Sequence, residues 1–321
     1  MGAETNIDLA NVFQRCDRLR QMAATQALVT RFAPSPTGFL HLGHAASAIF
    51  VWGIARRIGA SIILRIEDHD RTRSKREYES AIIADLDWLG FNPDLGPRSP
   101  STPSAFRQSD AYDTYIDALR HLEQRHLIYA CDCSRKDLRE QDGFDARHRE
   151  PCYAGTCRDK NLPAALGHGL RVKLDKKDIA FTDLWLGDQN QCAAEQCGDL
   201  LLRDRHGNWT YQFAVVVDDI QQGVNVVIRG QDLTASTGRQ IQLAQLLGRH
   251  TSIVFGHHPL IHEADGETKL SKRQYSRSLA SLRRIGWTPQ RVLGEAAHLV
   301  GLVASNRPLH LNDLLEVFCN G

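Results

Sequence analysis

The run Ser61-Ile62-Ile63-Leu64-Arg65-Ile66 constrains the fold of this chain more than any other stretch. It lacks the polar alternation of a strand with one wet face, so both its faces have to be covered. Before it, Leu28-Val29-Thr30-Arg31-Phe32 reads as a strand over 28–33, and Gly43 to Ile58 carries apolar residues at helical spacing. After it, Glu77 to Leu89 reads as a second helix, closed by Gly90. This strand–helix–strand–helix order predicts a parallel sheet with helices packed against it.

Residues 91–104 are rich in Pro, Ser and Gly and read as a loop. Tyr112 to Arg125 reads as a helix, and residues 130–160 hold cysteines with little periodicity, as a small metal-stapled insert does. Alternation returns at Gly169 to Asp175. Tyr211 to Val217 and Val224 to Ile228 read as apolar strands, Leu233 to Leu247 as a helix, Ser252 to Phe255 as a strand, and Ser278 onward as helical. Residues 1–27 are polar and weakly patterned, so they read as an N-terminal extension or a short capping helix.

Composition mainly excludes. With 42% apolar and 24% charged residues, the 321-residue chain has the balance of a globular protein of about two domains. No apolar run reaches the roughly 18 residues a membrane span needs, and no signal peptide is visible, so a cytoplasmic protein is expected. A net charge of +1 provides no whole-protein basic field for nucleic acid. Basic residues do cluster at Arg71, Arg73, Lys75 and Arg76 and at Arg147, His148 and Arg149, but solvated helix faces carry such runs as readily. Eight cysteines in a chain of this kind argue against a disulfide framework. The close pair Cys131 and Cys133, followed by Cys152 and Cys157, has metal-site spacing; Cys16, Cys192, Cys197 and Cys319 read as ordinary thiols.

Two segments carry chemistry. In RFAPSPTGFLHLGH (31–44), prolines and a glycine shape a turn straight after a strand, and His41 and His44 fall where a helix begins. A helix N-terminus offers free N–H groups and partial positive charge, hence an anion site. Gly43 leaves room for a purine to approach the backbone. Taken alone, the string is equally a proline-rich loop with incidental histidines. Further on, Lys269-Leu270-Ser271-Lys272-Arg273 follows a polar turn. Lysines there can fold over a triphosphate and stabilise charge developing at phosphorus, although alone the segment is equally a solvated basic loop.

Together and in this order, HLGH and KLSKR resemble the HIGH and KMSKS signatures of the class I aminoacyl-tRNA synthetases. RFAPSPTG, RIEDHDRTR (65–73), VVVDD (215–219) and VIRGQDL (227–233) resemble the glutamyl and glutaminyl branch, over about residues 28–290. Only residues 273–321 follow Lys272, too few for the large anticodon-binding region of full glutamyl enzymes. In this the chain is similar to their truncated paralogues, the glutamyl-Q tRNA(Asp) synthetase family.

The resemblance implies an α/β fold: a Rossmann-like class I catalytic domain with a small zinc-binding insert and a short helical C-terminal region. Its expected layout is an extension (1–27), the first half of the catalytic domain (28–110), an acceptor-binding-like, zinc-binding insert (111–198), the second half (199–262), and the KLSKR loop with helical C-terminal region (263–321). It implies tRNA-independent activation of L-glutamate with ATP and Mg2+, then transfer of glutamate to queuosine in the anticodon loop of tRNA(Asp). A monomer is expected. Catalysis would fall to His41, His44 and Lys272, and ATP binding to Pro34, His41, Gly43, His44, Lys269, Ser271 and Lys272.

Glutamate carries two carboxylates and one ammonium, so a selective pocket wants two cationic forks and an anion; arginine suits the carboxylates because its planar fork pairs bidentately. Arg31 and Arg229 are the candidate forks, Glu67 the anion, and Ser35 and Tyr211 the hydroxyls, at positions where the family contacts glutamate. The plainer alternative is structural pairing, with Arg65 and Asp68 beside Glu67. The family binds one structural zinc through Cys-x-Cys and Tyr-x3-Cys, which implies Cys131, Cys133, Tyr153 and Cys157 here, with Cys152 and His148 as competing ligands. Three rival readings remain: a truncated glutamyl-tRNA synthetase charging the terminal adenosine, an HxGH nucleotidyltransferase acting on a small molecule, and an RNA-binding module without activity. The RIED and IRGQDL strings speak against the second, and intact HLGH and KLSKR against the third.

Overall fold

The computed structural model describes residues 9–22, 26–140, 151–261 and 277–320. In chain order the elements are α1 (Leu9–Met22), β1 (Val29–Phe32), α2 (Leu42–Ile58), β2 (Ser61–Leu64), α3 (Arg76–Leu89), α4 (Tyr112–Gln124), β3 (Ile128–Cys131) and α5 (Arg135–Glu140). Then follow β4 (Gly169–Val172), β5 (Ile179–Asp183), β6 (Gly187–Gln191), α6 (Ala193–Gln196), β7 (Leu200–Arg203), α7 (Tyr211–Gln221), β8 (Val226–Gly230) and α8 (Thr237–Leu246). Last come β9 (Val254–His258), α9 (Leu279–Arg284), α10 (Pro289–Leu299) and α11 (Leu311–Asn320).

The expected parallel strands are present, in two hydrogen-bonded sets, β1-β2 and β6-β5-β9-β8. β1 and β2 run parallel from Val29↔Ser61 to Phe32↔Leu64. β8 and β9 run parallel from Val226↔Val254 to Gly230↔His258, β5 joins β9 parallel at Asp183↔Phe255, and β6 closes the edge antiparallel. Asn225 joins the two halves: its N–H donates to the Val29 carbonyl, and its Oδ1 accepts from the Val29 N–H. β1 leads away to β2 and β8 to β9 on the other side. A crevice therefore opens at the carboxyl ends of β1 and β8, the usual ligand position in open α/β sheets. Arg31 and Arg229 stand at those two ends.

On one face α2 packs against α10, α11 and α1. Gly59 ends α2 with φ 71°, a left-handed conformation that glycine adopts without steric cost. The capping-helix reading of the N-terminal segment holds over Leu9–Met22: Val12, Phe13 and Cys16 are buried in the core beside α2 and α11. Burial pushes the Cys16 thiol up to about 12, so it packs as an apolar group.

One expectation needs correction, and the bounds of two others shift. Tyr211 to Val217 is not a strand but the first part of α7. The Thr210 hydroxyl accepts the Phe213 N–H and caps the helix. Phe213 through Asp219 are all buried, so the run is apolar on every side and neither the helical nor the strand period stands out. The helix expected at Leu233 to Leu247 begins with a 3-10 turn at Gln231–Ser236 before α8, and the strand expected at Ser252 starts at Val254. Ser278 onward is helical as expected, in three helices. Sheet membership also crosses the 198/199 boundary. β3, β4 and β7 form a separate antiparallel sheet, while β5 and β6, from within 111–198, belong to the main sheet. Among the described residues no helix is long and apolar enough to cross a membrane.

Candidate active site

A cavity of about 350 Å3 occupies the crevice and is lined by Arg31, Pro34, Ser35, His41, Gly43, His44, Glu67, Tyr211 and Arg229 among others. Each of these came from the sequence. Lys269, Ser271 and Lys272 lie outside the described residues.

The two histidines occupy the first turn of α2. His41 is the N-cap: its Nδ1 accepts the Gly43 N–H at 3.1 Å, and His44 Nδ1 accepts the His41 N–H at 3.2 Å. An imidazole nitrogen that accepts from an amide carries no proton, so both rings hold theirs on Nε2. Each histidine is therefore a donor at its outer nitrogen, on a helix end with its own positive field. Gly43 lines the cavity and also serves the helix cap. A Cβ there would come within 2.9 Å of His41 Cε1, so the glycine makes room for the capping ring itself.

Charges beneath the cavity are paired unequally. Arg65, fully buried, donates to Asp219 Oδ1 at 2.6 Å and to Glu67 Oε1 at 3.1 Å, with Asp218 at 3.6 Å. Burial works against its charge, yet Asp219, Glu67 and Asp218 outweigh it and hold its pKa above the ordinary value. Structural pairing at Glu67 is thus real, through one oxygen; among the described residues no bond reaches Oε2. Asp68 does not pair with Arg65; it accepts the Ser109 N–H. Arg31 donates to Asp219 at 3.3 Å and to the Ile228 carbonyl. Asp219 stays below the usual carboxylate range, because Arg65 and Arg31 together overcome its burial.

Arg229 differs. It is 5% exposed, and among the described residues every hydrogen-bond partner it has is neutral: His257 Nε2 (3.0 Å), Gln240 Oε1 (2.6 Å), Thr237 Oγ1 (2.9 Å) and the Leu233 carbonyl (3.4 Å). Burial, with Arg31 nearby, lowers its pKa. A buried guanidinium without a counter-ion is costly unless an anion joins it. The cavity beside it is where that anion fits.

Sequence reasoning raised Arg65 only as a structural partner beside Glu67, and missed Asp218, Asp219, Thr237, Gln240, His257 and His258 as parts of the site. The usable signal was His257-His258 at the carboxyl end of an apolar strand. Burial depresses His258 to about 4, and its ring bonds Ser47 Oγ and the Pro259 carbonyl.

The cysteine cluster lies apart, on the smaller sheet. The ligand atoms of Cys131, Cys133 and Cys157 lie within 4.8 Å of one another, with Cys133 and Cys157 sulfurs 3.5 Å apart. Tetrahedral zinc with thiolates spaces its sulfurs at about 3.8 Å, so the set fits. Tyr153 Oη is 3.7 Å from Cys131 Sγ and accepts the Cys157 N–H at 2.8 Å. Cys152 is exposed and bonds the Ala194 carbonyl instead; His148 lies outside the described residues. Arg171 donates to Cys131 Sγ at 3.3 Å and lies over the Tyr153 ring, a cation placed to balance thiolate charge. Burial raises the Cys131 thiol, but Arg171 and the Cys133 N–H outweigh it and hold it below its ordinary value; burial pushes Cys133 up to about 11.

Residues 27–307 match the family model "tRNA synthetases class I (E and Q), catalytic domain". The chain is 41% identical over 300 residues to a glutamyl-Q tRNA(Asp) synthetase of Symbiobacterium thermophilum, covering 91% of this chain and 92% of that one. It is 36% identical to glutamate–tRNA ligase 1 of Syntrophus aciditrophicus, covering 92% of this chain but only 61% of the ligase. A crystal structure of a glutamate–tRNA ligase from Elizabethkingia meningosepticum, in complex with its amino acid, matches with a TM-score of 0.73 and 25% identity, over 91% of this chain and 64% of that one.

Proposed function

Because the chain belongs to the catalytic-domain family of the class I glutamyl and glutaminyl tRNA synthetases, and is a ligase of that type, we propose that it activates L-glutamate with ATP and transfers the glutamyl group to queuosine of tRNA(Asp). The observation that carries the glutamate assignment is Arg229, a buried guanidinium with only neutral partners, facing a cavity that also holds Arg31, Glu67 and Tyr211. Two forks take the two carboxylates, and Glu67 takes the ammonium through the oxygen that Arg65 leaves open.

In the first step a glutamate carboxylate oxygen bonds to the α-phosphorus, and the bond to pyrophosphate breaks. The nucleophile is already ionised, so no general base is needed, and catalysis reduces to positioning and charge stabilisation. The Nε2–H groups of His41 and His44 face the phosphates with Pro34 and Gly43 beside them; Lys269, Ser271 and Lys272 are assigned to ATP, Lys272 to the charge developing at phosphorus. Magnesium bound with ATP neutralises phosphate charge. In the second step an acceptor hydroxyl attacks the mixed anhydride, AMP leaves, and the hydroxyl proton passes to solvent. Cys131, Cys133, Tyr153 and Cys157 hold one structural zinc, which supplies folding energy to the small sheet. The work is done in the cytoplasm, by a monomer.

A second acceptor, the terminal adenosine, is favoured by the 36% identity to a glutamate–tRNA ligase; the higher identity to the glutamyl-Q relative supports queuosine. Two measurements test the whole reading. Glutamate-dependent ATP–pyrophosphate exchange should proceed with and without tRNA. Labelled glutamate should pass to queuosine-containing tRNA(Asp) whose terminal adenosine has been removed enzymatically, and not to the same tRNA lacking queuosine. If removing the adenosine abolishes transfer, the terminus is the acceptor.

A further inference from the structure

We propose that His257, fixed as a neutral acceptor by Asp183, is a positioning residue that locks the Arg229 fork toward the substrate carboxylate without consuming its charge. The proposal rests on the glutamate reading above.

Arg229 and His257 face each other in register across the parallel strands β8 and β9, so their side chains share one face of the sheet. Arg229 Nε lies 3.0 Å from His257 Nε2, and His257 Nδ1 lies 2.6 Å from Asp183 Oδ2. His257 and Asp183 are fully buried. Asp183 also accepts the backbone N–H groups of Trp185, Leu186 and His257, so its carboxylate is held from several sides.

The proton positions follow from donor and acceptor chemistry. An ionised carboxylate only accepts, so the imidazole proton sits on Nδ1; a guanidinium only donates, so Nε2 must be the lone pair. An imidazolium would set Nε2–H against the arginine Nε–H, two donors with no acceptor between them. Burial, reinforced by Arg229, keeps His257 below its ordinary pKa despite the Asp183 bond. The remaining restraints on the fork are neutral too. Gln240 accepts at Nη1 and is itself held by Gln212, and Thr237 accepts at Nη2. A carboxylate in place of His257 would hold the fork equally well but would neutralise it. The imidazole transmits orientation while keeping Asp183 one ring away. Arg31 lacks this arrangement, because Asp219 touches it directly.

The test separates orientation from bulk. His257→Leu removes both bonds, and with them the contact of Thr237 Oγ1 with Nε2 at 3.2 Å. His257→Gln keeps both, since the amide oxygen can accept from Arg229 and the amide N–H can donate to Asp183. In ATP–pyrophosphate exchange, His257→Leu should raise the KM for glutamate by about 10- to 100-fold, the scale of one lost charge-assisted bond, with the KM for ATP nearly unchanged. His257→Gln should recover most of that loss. Nitrogen-15 NMR of the wild type should show His257 protonated at Nδ1 and bare at Nε2 from pH 5 to 8, with an exchange-protected Arg229 Nε–H. Normal glutamate KM in a folded His257→Leu, an equal defect in both variants, or a titrating His257 would each overturn the positioning role while leaving the glutamate reading intact. Conversely, a wild type that activates no glutamate but keeps the NMR signature would overturn the substrate assignment and leave the locked fork standing. Should His257→Leu fail to fold, His257→Gln and the spectrum still decide.

Discussion

The least invasive perturbation of the site is to the substrate. Glutamine matches glutamate in length but replaces the side-chain carboxylate with a neutral amide. Of the two forks, Arg31 keeps Asp219 at 3.3 Å whatever is bound, whereas Arg229 has only neutral partners and 5% exposure. Glutamine therefore leaves one arginine buried without its counter-charge, and turns its amide N–H2 toward a group that only donates. An uncompensated buried charge costs about 3–5 kcal/mol. At 1.36 kcal/mol per tenfold change, that predicts discrimination of about 10^2.2- to 10^3.7-fold in kcat/KM. The assay is ATP–pyrophosphate exchange with each amino acid over a concentration series. In Arg229→Gln the preference should narrow sharply, mainly through loss of glutamate. Equal exchange rates with glutamine in the wild type would refute the reasoning, because the unpaired fork would then be no determinant of selectivity.

Lys272→Ala should lower the activation rate by about 100- to 1000-fold, the scale for one preorganised electrostatic donor, with glutamate affinity little changed in a binding titration. Cys131→Ser or Cys157→Ser should abolish zinc in metal analysis of protein purified without chelator. Tyr153→Phe should weaken zinc binding in a chelator competition, because Cys152 points elsewhere, to Ala194; undiminished affinity would remove the phenolate from the set. His258 is a base whose folded pKa, about 4, lies below its ordinary 6.5. Its contribution to stability is full above pH 6.5 and lost as pH falls through 4, about 3 kcal/mol in all. Asp218 and Asp85, both raised by burial to about 6, act in the opposite sense across that window. The readout is accordingly the difference between wild type and His258→Gln in urea unfolding from pH 7 to 4, where the variant should lose less. Gly53→Ala should cost about 1–3 kcal/mol in thermal unfolding, because a Cβ there overlaps the Phe318 ring that packs α11 onto α2.

What the sequence by itself determined was whatever depends on short range. The covered strand at 61–66 implied a parallel sheet, HLGH marked a helix start, and CDC with YAGTC marked a thiol cluster, because each is a local pattern of burial, capping or spacing. Arg31, Glu67 and Arg229 were legible as residue types suited to glutamate. Tyr211 to Val217 was misread because a helix buried on all sides loses its period, and only Thr210 at its start distinguished it from a strand. The tertiary structure alone decided which charges are already spent. Arg65, raised in sequence only as a neighbour of Glu67, binds one oxygen of Glu67 and shares Asp219 Oδ1 with Arg31, and so leaves Arg229 the fork without a counter-ion. It also decided that Asp183, His257 and Arg229 form one chain of contacts, by pairing Arg229 with His257 across β8 and β9 and setting Asp183 of β5 opposite Phe255 on β9. Pairing of this kind depends on strands far apart in the chain meeting at a particular offset, and composition and spacing do not encode it.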